Sequence, residues 1–317
     1  MSDPGVTSRR GSRLAVSLAL GALTFALVAY AFHGSPPNGD FWRPWLGAKA
    51  LLSGATPYGL FSPTGPYAHE FPDLYPLVAS VPLLPLMFLP FNFAAGAFSG
   101  ISAACLAWGI TEKNFNRLPI FLSLPTVIAL YSSQWSVVYS AAFILPALSF
   151  LYIAKPTIGF AMLAARATRR GVITFAVGAS LMFALSLLIA PGWIGEWIAT
   201  VRAHSGHMMA PVLQPGGLIA LVALLRWRRP EARLIVALAL VPQNIAWYDS
   251  VPLLLVPLTL MEVLVSTILM SVPIILEVLM KGGSDGVVDF WPRGYELAIF
   301  AYLPAVVTVL RRPNVSE

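Results

Sequence analysis

Long apolar runs separated by short polar breaks fill the chain from Leu14 to its C-terminal region. Many approach the roughly 20 residues that cross about 30 Å of hydrocarbon as a helix, while the alternating ten-residue segments of an outer-membrane barrel are absent. The pattern predicts an all-α, multispanning membrane bundle. Spans are expected at about 14–32, 75–91, 93–111, 118–132, 136–154, 171–190, 211–226, 234–248, 251–280 and 295–310. The piece from Ile158 to Ala165 is too short to cross alone, and 251–280 is long for one helix yet short for two, so the expected count is roughly eight to eleven. Prolines at 82, 85, 90, 119, 125, 146, 156, 252, 257 and 273 interrupt these runs, and each removes a backbone donor and ends or kinks a helix. Such breaks are tolerated in lipid where neighbouring helices or a polar pocket satisfy the freed groups.

Composition agrees with this pattern. Only 11% of the 317 residues are charged and 57% are hydrophobic, with a mean hydropathy of +0.75, against about 25% charged in soluble domains. Residues 1–317 therefore read as a single membrane domain, with 1–13 as a cytoplasmic tail and 33–75 as an outer loop. The net charge of +6 does not point to nucleic acid, because the arginines sit in short clusters between apolar runs instead of on one face. Arg9, Arg10 and Arg13; Arg166, Arg169 and Arg170; Arg226, Arg228, Arg229 and Arg233; and Arg311 and Arg312 mark cytoplasmic ends by the positive-inside rule. That places the 33–75 loop outside, in a plasma (inner) membrane protein. Arg9 to Arg13, the apolar run after it and Ala29-Tyr30-Ala31 imitate a secretory signal, but the run is long enough to serve as an uncleaved first span. The single cysteine, Cys105, lies in an apolar run and builds neither a disulfide framework nor a thiolate metal site.

The informative polar segment is the outer loop, where Asp40 stands in Gly39-Asp40-Phe41-Trp42-Arg43-Pro44-Trp45. Residues 42–52 have the spacing of a short interfacial helix with Lys49 facing water. Pro36-Pro37-Asn38-Gly39 is a turn-forming run that holds Asp40 near the outer end of the first span. The plain role for Asp40 is an N-cap of that helix. His204 and His207 give two ligands with no evident third or fourth, which is inadequate for zinc, so no metal or other cofactor is expected. Asn314-Val315-Ser316 matches a glycosylation acceptor but follows the last arginine pair. The 282–293 loop and residues 192–214 are the other sizeable polar segments.

Asp40-Phe41, Ala48-Lys49-Ala50-Leu51-Leu52-Ser53-Gly54-Ala55-Thr56-Pro57-Tyr58, Asp73-Leu74-Tyr75-Pro76, Gln134, Lys155-Pro156 and Tyr248-Asp249 occur in an order that resembles glycosyltransferase family 87, multispanning enzymes of the GT-C fold class. The resemblance covers about the first half of the chain. It implies transfer of a sugar from a polyprenyl-phosphate donor to a hydroxyl of a glycolipid or glycan acceptor on the outer face, with Asp40 as catalytic base. Attack from the face opposite the phosphate gives inversion. The departing phosphate needs cations or donors, for which Arg43, Lys49, Lys155, Arg202 and Arg293 are candidates; Lys155 stands out as a charge within an apolar stretch. Tyr58, Tyr75 and Gln134 are the candidates to bond sugar hydroxyls, and Glu70, Asp73 and Asp249 are further carboxylates. One departure stands against the family pattern: the interval from Gln134 to Lys155 is short by one helix. The rival readings are a transporter or flippase, which requires ionisable residues spread through several spans and half-length repeats, and a non-catalytic relative.

Overall fold

The computed structural model describes residues 4–34, 40–62, 64–67, 72–204, 208–243, 246–280 and 292–314. Among them every regular element is helical, apart from one isolated bridge between Met209 and Gln243. The expected turn at 36–39, Glu70, His207, the Val315-Ser316 end of the acceptor match and most of the 282–293 loop lie outside the described residues.

Among the described residues four helices are long and apolar enough to cross a membrane: Arg9–Ala31 within α1 (Pro4–Ala31), α3 (Phe91–Ile110), α7 (Arg169–Ile189) and α10 (Leu260–Met280), where α2 is Trp42–Leu52. A fifth crossing is reached if α4 (Leu124–Tyr131) and α5 (Trp135–Ile144), which meet at 113°, count as one broken span. The other apolar runs form shorter elements than their length suggested. A ten-residue α-helix such as α6 (Pro156–Ala165) rises about 15 Å, half the hydrocarbon thickness, and Leu77–Leu86, Pro146–Ala154, Gly217–Arg226 and Trp247–Leu255 wind as 3-10 helices.

Proline explains where the elements break. Pro119, Pro125, Pro146, Pro156, Pro230 and Pro304 occupy the first turn of the elements they open, where the missing N–H has no intrahelical partner to lose. Pro82 and Pro85 lie inside Leu77–Leu86 and Pro252 inside Trp247–Leu255, both of them 3-10, while Pro273 is accommodated within α10. The expected span at 251–280 accordingly divides into Trp247–Leu255 and α10. The expected span at 75–91 becomes a 3-10 segment lying along α2: Trp45 Nε1 donates to the Leu86 carbonyl at 3.4 Å, and a Cβ on Gly47 would fall 2.2 Å from Ser80 Oγ. The interval from Gln134 to Lys155 holds α5 and then Pro146–Ala154.

Helix α3 is central, with 67% of its apolar window buried, whereas α1 and α7, at 22% and 17%, leave most of theirs to face lipid. The α1–α3 pair is antiparallel. Arg13 bonds the Trp108 carbonyl at one end, Gly21 meets Gly100 in the middle, and Asn92 bonds the Ala29 carbonyl at the other. Small residues let these backbones approach, as membrane helix pairs require: a Cβ on Gly100 would stand 2.7 Å from the Gly21 carbonyl oxygen and one on Gly96 2.9 Å from that of Phe25. Because the obstructing atoms are backbone, Gly100→Ala is expected to destabilise the bundle by about 1–3 kcal/mol. A melting temperature in detergent equal to that of the wild type would show that the two helices separate freely.

The arginine clusters converge at one end of the bundle. Their guanidiniums bond the last carbonyls of helices, which have no intrahelical donor and carry partial negative charge: Arg166 to Phe143 in α5, Arg233 to Ala165 in α6, Arg117 to Leu255, Arg312 to Val256, and Arg226 to Leu310 in α12 (Leu303–Leu310). Arg312 also pairs with Glu262 at 2.5 Å. Asp40 stands at the opposite end of the α1–α3 pair, beside Phe41, whose ring meets Phe91 and Phe98.

Candidate functional site

Asp40 is not a helix cap. The residue at the N-cap of α2 is Phe41, whose backbone is already helical and whose side chain makes no capping bond. The Asp40 carboxylate instead accepts from Arg43 Nη1 at 3.3 Å and from the Tyr248 hydroxyl at 3.4 Å, with 28% of its side chain exposed. Both bonds are long compared with the usual 2.7–3.2 Å, so neither immobilises it strongly. Arg43 is buried because α2 is not a surface helix: Trp45, Leu46, Gly47, Ala48, Ala50 and Leu51 are buried with it. The expected headgroup-level helix is therefore sealed within the protein, and only Lys49 keeps its predicted exposure, its Nζ lying 3.8 Å from the centre of the Trp45 ring.

Lys155 opens α6 and is bound by a carboxylate 94 residues away. Its Nζ donates to both oxygens of Asp249, at 2.9 and 3.1 Å, and lies 6.0 Å from the Tyr248 ring centre. The adjacent Tyr248 and Asp249 thus join the two charged pairs, Arg43–Asp40 and Lys155–Asp249. Tyr75 completes the group, lying within the electrostatic reach of Asp40, Tyr248, Asp249 and Tyr139. Among the residues named from the sequence, Asp40, Arg43, Tyr75, Lys155 and Asp249 come together. Tyr58 stands one layer behind, donating to the Tyr75 carbonyl at 3.1 Å. Gln134 is buried at the α4–α5 bend, next to Ser133 with φ 52°, and reaches the cluster through aromatic neighbours: Trp135 meets Phe98, and Phe98 meets Phe41, each at 5.0 Å between ring centres. Lys49 is not part of the group. Arg202 lies exposed on α8 (Trp193–His204), which ends at the first of the two histidines, and Arg293 is exposed beside Glu296 in a capping box. Among the described residues no three His, Cys, Asp or Glu side chains gather to hold a metal.

Asp73 is the second carboxylate of the outer loop and is 2% exposed. It accepts a hydrogen bond from the Tyr75 backbone N–H at 3.0 Å. Burial pushes its acid up to about 7, outweighing that bond and the pull of Arg43. An acid raised in the folded state binds its proton more tightly there than in the unfolded chain, so its contribution to stability falls as pH rises from about 3.8 to about 7 and is level above that. Asp73→Asn is accordingly expected to raise the melting temperature at pH 8 and to leave it nearly unchanged at pH 4. Equal shifts at both pH values would mean that the carboxyl is hydrated.

Two further features border the cluster. A cavity of about 10 Å³ touches Asp249, Gln243, Ser250 and Tyr302, room for roughly one water. On the other side, the buried Tyr139 lies within electrostatic reach of Asp249 and beside the Lys155 backbone. Sequence reasoning passed over Tyr139; the available signal was a tyrosine inside an otherwise apolar run. No protein-family model, curated protein or solved structure matches the chain.

Proposed function

We propose that this chain is a membrane glycosyltransferase that moves a hexose or pentose from a polyprenyl-phosphate donor to an acceptor hydroxyl at the outer face, with inversion. The observation that carries the reading is the meeting of Asp40, Arg43, Tyr75 and Lys155 with Tyr248 and Asp249 at the end of the bundle opposite the arginine clusters. A partly exposed carboxylate held only by long bonds keeps basic lone pairs available for an acceptor's proton. Arg43 and Lys155 are the cluster's cations, available to a leaving phosphate whose developing charge they would offset. In this reading the short apolar segments complete a GT-C-like bundle of roughly eight to eleven crossings, and the arginine end faces the cytoplasm of a plasma membrane protein. The donor and acceptor lipids reach Asp40 from the outer leaflet.

A second reading, a non-catalytic membrane protein, is favoured by one observation. Asp40 and Asp249 both have partners within the chain, and the cavity touching Asp249 is water-sized. Transfer of radiolabelled sugar from polyprenyl-phosphate donors in membranes separates the two: transfer above that of membranes lacking the chain supports the enzyme, and none supports the scaffold.

A further inference from the structure

An aromatic corner adjoins the charged cluster and reaches the surface. Trp42 meets Phe61 edge to face, with ring centres 5.2 Å apart, and Tyr67 in the same way at 5.5 Å, while Phe61 and Tyr67 lie 6.2 Å apart. Phe61 is 1% exposed and forms the back of the corner; Tyr67 is 41% exposed and Trp42 half-buried, so both present ring surface to the outside. The corner touches the cluster through Arg43, whose guanidinium carbon stands 5.9 Å from the Phe61 ring centre and whose Nη1 bonds Asp40 at 3.3 Å. Asp40 and Trp42 are two residues apart, at most about 7 Å between Cα atoms. Backbone contacts fix Tyr67: its N–H bonds the Leu60 carbonyl at 3.0 Å, and a Cβ on Gly65 would fall 2.3 Å from the Gly59 carbonyl oxygen, so only glycine permits this close approach. Among the described residues neither the Trp42 indole N–H nor the Tyr67 hydroxyl has a hydrogen-bond partner.

We infer that this corner is the platform on which a sugar ring of the acceptor packs. The inference rests on the glycosyltransferase reading and deepens it by making the acceptor a glycan, its ring on Trp42 and Tyr67 and one hydroxyl turned toward Asp40. The C–H groups of a sugar ring carry slight positive charge and aromatic faces carry negative charge, so an uncharged ring is attracted to them. The indole N–H and the phenol then bond the hydroxyls around its edge. A belt of interface anchors explains aromatic rings at a bilayer boundary. It does not explain why three of them converge beside the arginine that holds Asp40, or why a glycine-dependent loop fixes the most exposed one.

Binding is read without donor, by saturation-transfer NMR on the full chain in nanodiscs. The probes are methyl mannoside, methyl glucoside and methyl arabinoside, with glycerol as a hydroxyl compound that lacks a ring. The wild type is expected to prefer one of the glycosides over glycerol, and Tyr67→Ala to bind that glycoside roughly fivefold to tenfold more weakly. Tyr67→Phe, which keeps the ring, is expected to lose less. Because Tyr67 is exposed, both variants are expected to melt near the wild-type temperature, so a loss of binding is not a loss of fold. A wild type without preference for a ring, a preference that Tyr67→Ala retains, or an equal loss for glycerol overturns this inference. The enzymatic reading fails on a different result, the absence of transfer from radiolabelled polyprenyl-phosphate sugars, which removes the acceptor role even where a glycoside binds.

Discussion

Asparagine at position 40 is expected to lower sugar transfer by a factor of about 10² to 10⁴, the usual worth of general-base help, while the protein folds and binds donor as before. The substitution preserves shape and hydrogen-bonding capacity on the side facing Arg43 and Tyr248, since an amide oxygen still accepts from either donor. What it removes is basicity. The expected signature is a fall in kcat with little change in KM for the polyprenyl-phosphate donor, measured in detergent with radiolabelled donor and a hydroxyl acceptor. Undiminished transfer by Asp40→Asn would reject Asp40 as the base and pass the role to Asp73 or Asp249. The burial-raised acid of Asp73 then makes a distinguishable prediction: activity would rise as pH passes through about 7.

The largest effect on stability is expected at the Lys155–Asp249 pair. Its carboxylate is 5% exposed and its ammonium 17%, and the bonds are bidentate. Asp249→Ala would leave the ammonium buried beside an aromatic ring without its counter-charge, a change that typically costs about 3–5 kcal/mol. Replacing both partners, Lys155→Met with Asp249→Leu, removes two desolvated charges together and is expected to restore most of the loss. Thermal unfolding of Lys155→Met, Asp249→Leu and the double variant, read as a cycle, gives the coupling directly. Additive losses would mean that water screens the pair. The same double variant divides the functional readings, because an enzyme that needs Lys155 for the phosphate loses transfer even when its fold is recovered, whereas a scaffold keeps whatever stability-linked role it has.

The helical membrane class was legible because it follows from composition and run length, which depend on local sequence alone. The lengths of the crossings were not. Hydropathy reads 75–91 and 251–280 as membrane-long, but it does not register that Pro82, Pro85 and Pro252 favour 3-10 winding and that 75–91 has α2 to lie against. The candidate site divides similarly. Asp40, Arg43 and Lys155 stood out as charges in an apolar chain, and charge in oil requires a partner. Which partner is a long-range matter: Asp40 meets Tyr248 across 208 positions and Lys155 meets Asp249 across 94. Tyr139 stayed hidden because an apolar run with one hydroxyl in it reads as core until the neighbours of that hydroxyl are known.

By itself the sequence determined that this chain has the apolar helices of a membrane protein and that charged residues are few in it, 11% of the total, since both depend on residue type and order. Tertiary structure alone decided that α2 is buried and that Tyr248 and Asp249 tie the two charged pairs together. The physical reason is that a hydrogen bond or ion pair is fixed by separations of a few ångströms between atoms far apart along the chain, and those separations exist only once prolines, glycines and helix ends have set how the segments cross.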